Sequence, residues 1–133
     1  MTDGADVVGV DIITRALSIR QPYAEQILRG VKTAEFRSRP TKVLGEAFLI
    51  YAARTPGPTE EFARIGVKPG SLPTGVIVGV ATVTHCSETA DGWAWHLTDV
   101  RRLRQELLPE RHPQPTWWHP FDKPVRVREP VAA

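Results

Sequence analysis

Among 133 residues there is one cysteine, Cys86. A single thiol excludes an internal disulfide framework and is compatible with a cytoplasm. It lies in an apolar stretch, where an inert buried thiol is expected rather than a nucleophile. No apolar run approaches the length of a bilayer-spanning helix, and the N-terminus lacks a basic stretch followed by an apolar one, so a soluble cytoplasmic protein is expected. The histidines show no C-x-x-C or H-x-x-x-H spacing, which argues against a structural metal site. Gly57, Gly66, Gly70 and Gly75 are isolated turn glycines, not a phosphate-binding loop. No cofactor is implied. Internal repeats and low-complexity segments are also missing, and the length suits one core but is short for two. The expectation is a single domain over residues 15–128, between a flexible tail at 1–14 and a short one at 129–133.

The net charge of +2 is too small to mark a nucleic-acid binder, but its distribution is uneven. Arg29, Lys32, Arg37, Arg39 and Lys42 face Glu35 alone in one stretch, whereas residues 1–28 and 43–100 are each net acidic. Further basic clusters follow at Arg101, Arg102, Arg104 and Arg111, and at Lys123, Arg126 and Arg128. Brought together by the fold, they would make a face suited to phosphates. Scattered, they would only solubilise.

Ala16 to Ile19 alternates as a short strand. Pro22 suits the first turn of a helix, and Tyr23, Ala24, Ile27 and Leu28 recur at helical spacing, so a helix is expected over residues 22–29 with Gly30 ending it. From Thr33 the pattern alternates again, placing Ala34 and Phe36 toward a core and Thr33, Glu35 and Arg37 on the opposite face. That polar row reads either as a site or as a solvated strand face. On a flat strand Lys32 and Glu35 would point to opposite sides, and a twisted entry after Gly30 would bring them together. Glu46 to Ala53 is a continuous apolar run, consistent with a central strand buried on both faces. Thr59 to Ile65 forms a second short helix with acids in its first turn. Val76 to Cys86 is the longest strand signal, and Gly79 within it suggests a bulge or a close backbone approach. Trp93 to Leu97 is another strand. Residues 98–108 are ambiguous, because Val100, Leu103 and Leu107 fit a helix while arginines crowd between them. Pro124 to Arg128 is a candidate last strand. Of Trp117 and Trp118, in a proline-bounded segment, at least one is expected to be exposed; indoles near arginines offer stacking surfaces for unpaired bases. The fold class is α+β, a small curved or barrel-like sheet with two or three short helices.

Ala16-Leu17-Ser18-Ile19-Arg20-Gln21-Pro22-Tyr23-Ala24, Ile27-Leu28-Arg29-Gly30-Val31-Lys32, Glu35 and Arg37-Ser38 together resemble the ASCH domain family, whose signature is G-x-K-x-x-E-x-R. The resemblance covers roughly residues 15–120. It implies a PUA-like β-barrel with a cleft lined by Gln21, Lys32, Glu35 and Arg37, with Tyr51 on an adjoining strand. Arg39 and Trp117 complete the candidate ligand-binding set. Family members are described as RNA-binding, as ribonucleases and as amidohydrolases that deacetylate the exocyclic amine of cytidine. In that last branch a threonine nucleophile falls where this chain has Glu35, and a carboxylate can act as a base for water but cannot supply that hydroxyl. The partner expected is RNA, single-stranded nucleic acid or a modified nucleoside. As an enzyme, the chain would use Lys32 and Glu35 as acid and base, with Arg37 stabilising developing charge. A third reading is a protein-interaction module in a transcription or translation complex.

Overall fold

The computed structural model describes residues 9–128, and the expected tails at 1–8 and 129–133 lie outside them. The elements run β1 (Val10–Ile13), β2 (Ala16–Arg20), α1 (Tyr23–Leu28), β3 (Ala34–Arg37), β4 (Ala47–Ala53), α2 (Thr59–Arg64), β5 (Val76–Thr89), β6 (Gly92–Leu107), β7 (Trp117–Trp118) and β8 (Val125–Arg128). This is mostly sheet with two short helices, as the α+β reading expects. Among the described residues no helix is long and apolar enough to cross a membrane.

Six strands form one sheet in the order β3-β6-β5-β4-β2-β7, and β1 and β8 pair as a separate antiparallel ribbon. The ladder does not close. β3 and β7 are its two edges, so the barrel expectation is met only by a curled, open sheet. Two contacts show the curl: Trp95 on β6 stacks on Trp117 on β7 with ring centroids 5.7 Å apart, and Arg37 on edge strand β3 reaches the Ser18 carbonyl on β2 at 2.7 Å. Bulges drive it, because an extra residue on one strand increases the local twist. The β5–β6 pairing shifts register near Gly79, between Val80 and Thr82, and between Val83 and His85. At Gly79 a Cβ would lie 2.5 Å from Leu28 Cδ2 and 2.7 Å from the Arg101 carbonyl oxygen, so the close backbone approach read from the sequence is present.

Alternation along β4 sends Phe48, Ile50 and Ala52 into one core with Leu17, Ile27, Val83 and Trp95. Leu49 and Tyr51 go into a second core with Ile13, Ile77, Val80 and Trp118, which Val125 and Val127 of β8 help to cover. β4 is thus buried on both faces, as its unbroken apolar run requires. It runs parallel to β2, and the crossover between them carries α1 and β3.

Two expectations are corrected and one open reading is decided. The loose tail expected over residues 1–14 overlaps a strand, Val10–Ile13, which pairs with Val125–Arg128. Residues 98–107, open between helix and strand in the sequence, continue β6: Asp99 takes φ 51°, and this kink changes which side chains face inward, so that Leu103 and Leu107 pack on the second core. Phe36 is not in a core; it is 60% exposed while Glu35 is buried.

Candidate functional site

Gly30 adopts φ 77° and ends α1. The chain then folds back under the helix, with the amides of Val31 and Lys32 both donating to the Gln26 carbonyl at 2.9 and 3.1 Å. The Gln26 side chain in turn donates to Glu61 of α2, to its carbonyl at 3.3 Å and to Oε1 at 3.1 Å. Lys32 therefore leaves the helix turn before β3 begins at Ala34, and it shares a cleft with Glu35 although the two are three residues apart. Its Nζ stands 4.4 Å from the Phe36 ring centroid and 5.2 Å from that of Tyr23, a cation held over two aromatic faces.

The antiparallel register sets Glu35 opposite Trp95 and Arg37 opposite Trp93, so the carboxylate and guanidinium enter the curl of the sheet. Gly92 allows β3 this close, since a Cβ there would lie 2.6 Å from the Arg37 carbonyl oxygen. Arg37 donates through Nε to Glu35 Oε2 at 2.9 Å, its Nη2 lies 2.9 Å from the same oxygen as an ion pair, and its guanidinium carbon lies 5.7 Å from the Trp95 ring centroid. Glu35 Oε1 has no protein hydrogen bond among the described residues. Burial pushes the Glu35 carboxyl above its ordinary value, against the opposing pull of Arg37 and Lys32. Burial likewise lowers the Lys32 ammonium, while Glu35 and Glu61 draw it back up. The cleft encloses about 560 Å³ and is completed by Ser18, Ile19, Arg20, Tyr23 and Glu61. Three cations, Arg20, Lys32 and Arg37, one carboxylate oxygen without a protein partner and an exposed aromatic ring thus converge on a space of small-ligand size.

The family model of the ASCH domain matches residues 17–121. The chain belongs to the ASCH domain family. The ASCH domain is a PUA-like fold associated with RNA binding. No curated protein matches the chain.

Of the candidate ligand-binding residues, Lys32, Glu35 and Arg37, which belong to the ASCH signature, come together in this cleft. The others lie elsewhere. Gln21 is buried with both amide ends committed, its Nε2 donating to the Pro73 carbonyl at 3.0 Å and its Oε1 accepting from the Glu25 amide at 3.0 Å, which supplies an acceptor at the start of α1. Tyr51 faces the second core with its ring edge-on to Trp118 and lines a different cavity. The Arg39 side chain is exposed, and its carbonyl accepts from Trp95 Nε1 at 2.8 Å. Trp117 packs on Trp95 and Phe48 and donates to Thr41 Oγ1 at 3.0 Å; it is half-buried and Trp118 is buried, so neither indole is exposed as expected. The second and third basic clusters do meet, in a groove lined by Arg101, Arg102, Arg104, Arg126 and Arg128. Two of these are already committed, Arg101 to Asp11 and Arg102 to Glu25.

Sequence reasoning missed Phe36 and Ser18. For Phe36 the signal was present: if Glu35 and Arg37 both turn inward, the residue between them must turn out.

The burial of Glu35 has a measurable consequence. Its raised pKa means that stability from this group is complete at low pH and is lost as pH rises through the folded-state value, because the unfolded chain ionises first. Glu35→Gln, which can still accept from Arg37, removes that loss. The variant should be more stable than the wild type at pH 7, with the difference shrinking toward pH 4. Thermal melts at the two pH values check this; a variant less stable at pH 7 would contradict it.

Proposed function

We propose that the ASCH cleft binds RNA or a nucleotide-like ligand. The observation that carries this reading is a Glu35 Oε1 without a protein hydrogen bond in a cleft that Arg37, Lys32 and the exposed Phe36 also line. A carboxylate oxygen accepts from an exocyclic base amine, an ammonium contacts phosphate or carbonyl oxygens, and an exposed ring gives a base a stacking partner. Arg37 acts here mainly by orienting Glu35. The Lys32 side chain is half-exposed and makes no hydrogen bond with the described residues, so Lys32→Ala should leave the fold intact. In fluorescence anisotropy with short single-stranded RNA, Phe36→Ala is expected to weaken binding by about 1–3 kcal/mol. Lys32→Ala should reduce the salt slope by about one phosphate contact. Wild-type affinity in both variants would sink the proposal.

A second reading is supported by the opposed shifts of Lys32 and Glu35 within one cleft, a pattern found at acid–base pairs. It makes the site a ribonuclease or a nucleoside amidohydrolase. Mass analysis of RNA and of acetylated cytidine after incubation separates the two readings: turnover that disappears in Lys32→Ala supports an enzyme, and intact substrates with retained affinity support a binding module.

A further inference from the structure

A second cavity of about 500 Å³ lies against the first, and Ser18 and Arg20 line both. Its far wall is the segment from Leu108 to Pro113 and its near wall is the end of β4, with Tyr51, Arg54 and Thr55. Three guanidinium groups line it, those of Arg20, Arg54 and Arg111, together with His112 and one acid, Glu110. Arg111 is held in place by Asp122 and by the carbonyls of His119 and Phe121. Among the described residues neither Arg20 nor Arg54 takes part in an ion pair.

Arg54 is nonetheless positioned. It lies against Gly75, where a Cβ would come 3.2 Å from its Nε, and the Gly75 amide is fixed by the Ala52 carbonyl at 2.6 Å. In the strand that separates the cavities, the Ser18 hydroxyl is buried without a hydrogen-bond partner. A buried polar atom left unpaired is costly, and the residue that carries this one lines both cavities.

Resting on the reading of the first cleft as a nucleotide site, we infer that the second cavity is a phosphate subsite of the same site. Its ligand is then a phosphorylated nucleotide or a strand of RNA, not a free nucleoside. A base held at Glu35 and Phe36 places its phosphate, or the next nucleotide's, between Arg20 and Arg54, whose planar guanidinium groups suit phosphate oxygens.

The test uses a labelled single-stranded hexaribonucleotide on the full chain, competed by the four ribonucleosides and by their 5′- and 3′-monophosphates. Arg54 lines the second cavity only, so Arg54→Ala is the diagnostic variant and Lys32→Ala is the control for the first cleft. In the wild type at least one monophosphate should compete roughly tenfold better than its nucleoside, and Arg54→Ala should reduce that advantage to within about twofold while nucleoside competition is unchanged. Nucleoside competition that depends on Lys32, with no gain from a phosphate or with a gain indifferent to Arg54, overturns the subsite and leaves the first-cleft reading standing. A phosphate gain that depends on Arg54 but with no effect of Lys32→Ala overturns the first-cleft reading and, with it, the assignment of both cavities to one site. No binding of any probe overturns both.

Discussion

Arg37→Ala is expected to destabilise the protein by about 3 kcal/mol, the low end of what breaking a buried ion pair costs. Four contacts are lost together: the hydrogen bond from Nε to Glu35 Oε2, the ion-pair contact of Nη2 with the same oxygen, the bond that satisfies the Ser18 carbonyl and the face-on approach to Trp95. The carboxylate left behind is buried. Its escape is to take up a proton, toward which its raised pKa already leans, and this holds the cost below the upper end of the range. The same argument fixes the partner experiment. Adding Glu35→Gln to Arg37→Ala removes the stranded charge, so the double variant should recover part of the loss in urea melts, a coupling on the order of 1 kcal/mol or more. Strictly additive effects would mean that the pair acts as two exposed charges. For the cleft, the consequence is that Arg37→Ala cannot serve by itself as a binding probe.

Trp95→Ala should cost about 3–5 kcal/mol, the usual range for truncating a large buried aromatic. Trp95 is 2% exposed, stacks on Trp117 and ties β6 to the loop after β3 through the Arg39 carbonyl. It also lies directly across from Glu35 in the β3–β6 ladder. The cavity it leaves would open beneath the guanidinium of Arg37, so cleft geometry and stability should fail together. Against a typical total of about 5–15 kcal/mol, such a loss is readable as a shift in urea midpoint with the slope unchanged. Trp95→Phe keeps most of the packing and forfeits the indole bond, and should lose about 1 kcal/mol for that bond. A loss below about 2 kcal/mol for Trp95→Ala would show that Trp117 and Phe48 collapse into the space.

What the sequence revealed follows the range of the forces involved. The β4 run was legible because a strand buried on both faces has no polar positions to confuse it, and α1 because Pro22 and Gly30 bracket a helical period. β1 was not legible. Its four residues are extended only because β8 lies beside them, and no local pattern reports a partner more than a hundred residues away. In β6, the bend at Asp99 gives Val100, Leu103 and Leu107 a spacing that imitates a helix. The cleft was legible in Lys32, Glu35 and Arg37, whose spacing matches the ASCH signature. Gln21, Tyr51 and Trp117 could not be sorted from sequence, because what removes each from the cleft is a tertiary partner: the Pro73 carbonyl, the Trp118 ring and the Thr41 hydroxyl.

The β1–β8 ribbon makes Val10 and Arg128 direct partners. The backbone is therefore almost a ring, and the strand order around the two cores does not depend on where that ring is cut. An opening at the exposed Lys68–Ser71 turn, which interrupts no strand, with the ribbon ends joined by a short linker, would give a permuted chain with the same sheet. In it, helix and strand would still deliver Lys32 and Glu35 to one cleft, because the crossover that carries them lies wholly between β2 and β4.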